Sequence, residues 1–300
     1  MFDYARKGIP LHLLVGTLLL LFLTSCTGTV GNSAELEGHL TVAGSTALQP
    51  LASAAADLFG KQHPRVRVEV SGGGSISGLR AVTGQQGHAD IGTSDIYADP
   101  AIYPDPNLTD HIVCVIPFTM IVNPGVNVTS LTQQQIIDIF STGQIRNWKQ
   151  VGGPDLPITP VVRPSTSGTR DTFRKYILGG RDEKGTLLKT DSSVEVRNIV
   201  AHTPGAIGYL ALSVLNSQVR AISIDGQQPT QASIAAGHYS FWSYEHMYTL
   251  GDSTNKVQEA YLEFMLTPAV QQLAQKMGYI PIASMKLPTL SAAGTSPATP

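Results

Sequence analysis

Residues 39–48 read His-Leu-Thr-Val-Ala-Gly-Ser-Thr-Ala-Leu, and the next apolar positions fall at Leu51, Ala52, Ala55, Leu58 and Phe59. The first four alternate apolar and polar, which is a half-buried strand. The run from Ala47 to Lys61 repeats at helical spacing. Between them stands Gly44-Ser45-Thr46, a small-residue turn that opens a helix. The pattern then recurs. Val66–Val70 alternates as a strand, Gly72-Gly73-Gly74-Ser75-Ile76-Ser77-Gly78 forms the turn, Ile76–Thr83 has room for a helix, and Ala89–Gly92 begins another strand. Strand, helix, strand, helix, strand predicts an α/β domain with a largely parallel sheet.

Further along, Ile112–Val122 is a long apolar strand interrupted by Pro117, and 131–140 is an amphipathic helix. Thr159–Arg163 reads as a strand, Ser165-Thr166-Ser167-Gly168-Thr169 as a third hydroxyl-rich turn, and Thr169–Leu178 as its helix. The alternation continues through Val194–Ala201 and Ile207–Tyr209. Phe241–Leu250 is a second long extended stretch, and Lys256–Met265 and Pro268–Met277 are helical. If both long strands cross between lobes, the chain makes two α/β lobes with a cleft between them, and the C-terminal helices return to the first lobe.

The three turns carry the chemistry. Each places small residues, hydroxyls and first-turn N–H groups at a helix start, where unsatisfied donors and a partial positive charge suit an anion. Any one of them is equally a helix N-cap, for which Ser and Thr are preferred on structural grounds alone. Three converging on one cleft, beyond the carboxyl ends of strands, make an anion site. None is a P-loop, because Gly72–Gly78 lacks the Gly-Lys-Ser/Thr ending, and none is a dinucleotide fingerprint.

Composition narrows the function. The 300 residues are 14% charged and 42% hydrophobic with a formal net charge of -2, the profile of a globular chain without the basic face of a nucleic-acid binder. Eight scattered histidines show no spacing for a metal. Ser167 lacks a Gly-x-Ser-x-Gly elbow and a histidine placed to serve it, so catalysis is not expected. Arg6 and Lys7, the apolar stretch Ile9–Leu23 and then Leu23-Thr24-Ser25-Cys26 read as a secretory signal. An uncleaved anchor, or a signal cut elsewhere, is the alternative. Cys114, inside Ile112–Ile116, is expected to be a buried free thiol.

Val42–Leu48, the Gly72–Gly78 loop, Asp90-Ile91-Gly92-Thr93-Ser94-Asp95, Asp138–Trp148 and Arg163–Asp171 together resemble the periplasmic phosphate-binding proteins of the high-affinity phosphate ABC importer, in matching order over about residues 38–285. The resemblance implies a two-lobed, type II periplasmic-binding-protein fold with two crossing strands. Lobe one is 38–114 plus 245–286, and lobe two is 115–244. It implies inorganic phosphate as ligand, ABC permease subunits as partners, a monomer and no cofactor. Leu23-Thr24-Ser25-Cys26 resembles a bacterial lipobox, which implies that residues 1–25 form a lipoprotein signal and that Cys26 is diacylated and anchors the chain to the membrane; by composition 26–37 reads as a flexible tether and 287–300 as a disordered tail. The phosphate ligands implied are Ser45, Thr46 and the Ala47 N–H, then Ser75, Asp95, Arg163, Ser167, Gly168 and Thr169. Asp95 would accept the proton that phosphate carries and sulfate lacks. It reads otherwise as a turn residue or an ion-pair partner of Arg163, and Arg170 reads as a solvated or ion-paired residue. The competing functions are a binder of another oxyanion, a phosphate sensor without transport and, further off, a secreted hydrolase.

Overall fold

The computed structural model describes residues 35–188, 191–251 and 255–285. The signal, Cys26, nearly all of the tether and the 287–300 tail therefore lie outside the described residues. In chain order the elements are β1 (Gly38–Gly44), α1 (Gln49–Gln62), β2 (Val66–Ser71), α2 (Ser75–Val82), β3 (Ile91–Ser94) and β4 (Leu108–Val122). Then come β5 (Ser130–Leu131), α3 (Gln133–Ile137) with a π-helical turn at Asp138–Thr142, β6 (Thr159–Val162), α4 (Gly168–Tyr176) and β7 (Thr186–Leu187). The chain continues through α5 (Ser193–His202), β8 (Ala206–Ala211), β9 (Arg220–Ile224), α6 (Gln231–Ala235) and β10 (Trp242–Leu250). It ends with α7 (Lys256–Met265), α8 (Pro268–Lys276) and β11 (Ile280–Pro281).

Eight strands form one continuous path, β2-β1-β3-β10-β4-β8-β6-β7, with β9 and β11 also paired to β4 and β5 to β9. Each end of that path is parallel: β1 with β2 and β3, and β6 with β7 and β8. The middle is antiparallel, because β10 pairs with both β3 and β4, and β4 pairs with β8. The expectation of a largely parallel sheet thus holds within each end and fails where the two long strands join them. β4 pairs with β10 up to Pro117 and with β8 from Phe118 onward. Pro117 does not interrupt the strand. It stands where the partner changes, so its missing N–H costs no ladder bond.

Two other expectations shift. α1 begins at Gln49 rather than Ala47, with Pro50 in its first turn. The Ser45 hydroxyl instead accepts the N–H groups of Ala47 and Leu48 in the turn before it. Residues 194–201 belong to a helix that starts at Ser193, capped by the Ser192 hydroxyl on the Glu195 N–H. Most buried apolar side chains form one cluster that runs from Leu40, Leu51 and Phe59 through Cys114 and Phe118 on β4 to Phe173, Tyr209 and Phe241, and Leu79, Val82, Tyr103 and Tyr248 form a smaller second one. Cys114 is a buried free thiol.

Glycine sets how α2 seats on the sheet. A Cβ on Gly78 would lie 2.6 Å from the Thr93 carbonyl oxygen, 2.7 Å from that of Ala43 and 2.8 Å from the Gly44 Cα. All three neighbours are backbone and cannot step aside. We expect Gly78→Ala to lower unfolding free energy by about 1–3 kcal/mol, as overpacking does. Gly60→Ala, in α1 with nothing near its would-be Cβ, should raise it by about 0.5–1 kcal/mol. Urea unfolding of both variants checks this; equal effects would mean that α2 can shift off the sheet.

Candidate functional site

Three hydroxyl-rich turns meet at one place. The turn after β1 brings Ser45 and Thr46. The start of α2 brings Ser75, and the start of α4 brings Ser167, Gly168 and Thr169. The end of β3 delivers Asp95, and the end of β6 delivers Arg163. The side chains of Ser45, Thr46, Ser75, Asp95, Arg163, Ser167 and Thr169 are all buried. Eight residues spread over more than a hundred positions thus share one small polar volume inside an apolar shell.

The contacts assign each group. Both oxygens of Asp95 accept hydroxyl protons, Oδ1 from Ser45 and Oδ2 from Thr169 at 2.7 Å. Its main-chain N–H donates to the Ser75 hydroxyl at 2.9 Å. Burial pushes the Asp95 carboxyl up, opposed by the hydroxyls of Ser45 and Thr169; Asp191 adds to the rise and Arg163 opposes it. Arg163, with no exposed surface, donates from Nη2 to the Thr46 hydroxyl at 2.9 Å and from Nη1 to the Ser193 hydroxyl at 3.1 Å. The Ser167 hydroxyl accepts the Arg170 N–H and so caps α4. The first-turn N–H groups of Gly168 and Thr169 face no acceptor within their own helix, as at any helix start.

The counter-ion of Arg163 is Asp191, not Asp95. Its Oδ1 lies 2.8 Å from Nε and 2.6 Å from Nη2. Asp191 and Ser193 form part of the site and were not among the residues singled out in the sequence. The signal was present as Asp191-Ser192-Ser193 with Glu195 beyond, a fourth hydroxyl-rich helix start, but it carries no glycine. Arg170 is ion-paired, as one of its readings had it: its Nε lies 3.5 Å from Glu183, a buried carboxyl pushed up to about 7 chiefly by desolvation and held by the Tyr209 hydroxyl at 3.0 Å.

The two sides of the site are in contact. The Ile76 N–H donates to the Thr166 carbonyl at 3.1 Å, and Thr169 and Arg163 reach Asp95 and Thr46. Missing side chains permit this. A Cβ on Gly168 would sit 2.8 Å from the Ser75 Cβ and 3.0 Å from the Asp95 Cβ, and one on Gly74 would sit 2.5 Å from the Thr166 carbonyl oxygen. A pocket of about 440 Å³ adjoins the site, between residues 96–100, the α4 face carrying Asp171 and Lys175, and Trp242–Tyr244. The arrangement offers many donors, one buried cation already paired, and one carboxylate whose free lone pairs demand a proton. Such a donor set suits an oxyanion.

Comparison with known proteins agrees. Residues 29–269 match the family model described as a PBP superfamily domain. The chain is 42% identical, over 84% of its length and 84% of the relative's, to the phosphate-binding protein PstS of Bacillus subtilis (strain 168). Its fold superimposes on a substrate-binding protein from Clostridium perfringens solved with bound phosphate, at TM-score 0.73 and 25% identity, over 82% of this chain and 100% of that one. An ABC-type phosphate transport receptor from Vibrio cholerae gives TM-score 0.64 at 27% identity, over 80% and 99% of the two chains.

Gly168→Ala isolates the approach of the two sides. We expect it to weaken phosphate binding by roughly 5- to 150-fold, the equivalent of about 1–3 kcal/mol of overpacking. Calorimetric titration of variant and parent reads this directly; equal affinities would show that the added methyl is accommodated.

Proposed function

This chain belongs to the PstS phosphate-binding proteins of the PBP superfamily, and from that premise we propose that it captures inorganic phosphate outside the cytoplasm and delivers it to an ABC importer. The observation that carries the reading is the pairing of a dense donor set with the Asp95 carboxylate in one buried cleft. Phosphate at neutral pH carries a proton and sulfate does not. Asp95 accepts that proton, while the oxygens of the anion take the N–H groups at the starts of α2 and α4, that of Thr169 included, the hydroxyls of Thr46 and Ser75, and Arg163. The hydroxyls of Ser45 and Thr169 act one step back, since their protons already go to Asp95. A site that needs a hydrogen from its ligand rejects the analogue lacking it, because the carboxylate is then left unpaired.

Asp191 and Ser193 hold the guanidinium in place. Thr46 and Ser193 accept from Arg163 and share a hydrogen bond at 3.2 Å; if Ser193 donates it, the Thr46 proton is left for a bound oxygen. The lobes proposed are 38–114 with 245–286, and 115–244. In this scheme β4 and β10 join them, closure excludes water and strengthens each contact, and the closed form docks on the permease. No bond of the ligand is made or broken, so the protein is a binder and not an enzyme.

Titration of the ligand-stripped chain with phosphate, arsenate, sulfate and molybdate tests the reading. Tight one-to-one phosphate binding without response to sulfate supports it. Response to another oxyanion alone overturns the ligand. Arg163→Ala should abolish binding, since it strands Asp191 as an uncompensated buried charge, a change that costs about 3–5 kcal/mol. Normal phosphate affinity in that variant would remove Arg163 from the site.

The address is proposed as well. We read Leu23-Thr24-Ser25-Cys26 as a lipobox, with cleavage before Cys26 and one diacylglyceryl group, bearing two acyl chains, in thioether linkage on its sulfur. Residues 26–37 then tether the folded part to the membrane surface. Cys26→Ser should move the protein from the membrane fraction to the soluble fraction of fractionated bacteria. Unchanged membrane association would point instead to an uncleaved hydrophobic anchor.

A further inference from the structure

One buried carboxyl has no role in the site as described. Glu245 lies on β10 with no exposed surface, and neither of its carboxyl oxygens has a hydrogen-bond partner among the described residues. The strand register explains where it sits. His246 pairs with Ser94, so Glu245 is opposite the point where the chain leaves β3 at Asp95. On its other edge Glu245 pairs with Cys114, and His246 pairs with Ile112. Val113 is therefore an extra residue in β4, a bulge of the kind that re-aims side chains beside functional sites. The Ser243 hydroxyl donates to the Asp95 carbonyl oxygen and ties β10 to this turn.

The groups that face Glu245 are the Asp95 carboxyl, the Ser45 hydroxyl, the Cys114 thiol on β4 and the Tyr279 hydroxyl beyond α8. None is a cation. Arg163 is bound to Asp191, and neighbouring His246 is turned to Asp110 at 2.9 Å. Two adjoining carboxyls in a dry site cannot both ionise. The hydroxyls settle which one does. Ser45 and Thr169 both donate to Asp95, which stabilises its ionised form, whereas Glu245 accepts no donor. Burial first, and then Asp95, push the Glu245 carboxyl well above its ordinary range.

We propose that Glu245 is a positioning residue of the anion site, a neutral carboxylic acid that holds the single proton of the Glu245–Asp95 pair and points it at Asp95. This rests on the phosphate reading given above. Asp95 has lone pairs for about four hydrogens. Two are taken by Ser45 and Thr169, Glu245 supplies a third, and the ligand's proton completes the set. A carboxylate donated to from three sides stays ionised to lower pH, so it accepts a proton from the ligand over a wider range.

Phosphate titrations of wild type, Glu245→Gln and Glu245→Met from neutral to acid pH test this. The Gln amide keeps an N–H donor, so Glu245→Gln should match wild type, including its rejection of sulfate. Met removes the donor and keeps the bulk. Its phosphate binding should fail about one pH unit earlier on acidification, the equivalent of roughly tenfold in the Asp95 proton equilibrium for one lost bond to a charged acceptor. A pH profile of Glu245→Met that superimposes on wild type overturns the proposal. So does a Glu245→Gln profile displaced like that of the Met variant.

Infrared difference spectra, wild type minus Glu245→Gln, need neither binding nor the Met variant. A protonated-carboxyl carbonyl band above neutral pH supports the proposal, and its absence overturns it. If wild type bound no phosphate at any pH, the ligand assignment would fail, and this band would still report on Glu245.

Discussion

A guanidinium with no exposed surface must find all its partners inside the protein, and Arg163 finds them on two segments far from it in the chain. Asp191 supplies the charge, Ser193 a hydroxyl at the start of α5, and Thr46 a hydroxyl from the turn after β1. Leaving a charge unpaired in such a place costs several kcal/mol. The ends of β6 and β1 and the start of α5 are therefore held together by one side chain. Asp95 imposes the same condition with the opposite sign, drawing on Ser45 from its own side and Thr169 from α4. Two buried charges with partners on both sides turn a cleft into a latch.

The sheet makes this possible without rigidly fixing it. Parallel strands at each end deliver their carboxyl ends, and the helix starts that follow them, to the same region. β4 and β10 run through the middle, and their antiparallel pairing carries the chain from one end to the other. The bulge at Glu245 lies on this crossing, directly behind Asp95. The strand that joins the two ends also carries the carboxyl that borders the site. Small residues then set the distance of closest approach, since a methyl on Gly168 or Gly74 would fill the space in which the two sides meet.

What could be read from the sequence was what is local. Gly44-Ser45-Thr46, the Gly72–Gly78 loop and Ser165–Thr169 each declare a turn before a helix within a few residues, because capping and close approach are short-range needs. Asp191 and Ser193 stand at a helix start that lacks the glycine marking the other three, and Glu245 stands at no turn at all. Asp191 matters through Arg163, 28 positions away, and Glu245 through a strand register that no single stretch encodes. β9 was missed for a related reason. Arg220–Ile224 is short, and it is a strand because it pairs with β4 and β5. The break expected at Pro117 failed because proline's cost depends on whether its N–H was needed, and a change of partner strand removes the need.

Charge balance at the site follows from the same partners. Arg163 and Asp191 cancel, and with Glu245 neutral one uncompensated negative charge remains, on Asp95. An anion entering such a site meets repulsion that backbone and hydroxyl donors must outweigh. An oxyanion without a hydrogen obtains the donors and keeps the repulsion in full. One that carries a hydrogen turns the repulsive carboxylate into an acceptor and gains from the group that would exclude its analogue. In the function proposed here, selectivity comes from retaining an unfavourable charge that one protonation state of the ligand can satisfy, and the neutral acid proposed behind Asp95 would keep that charge single.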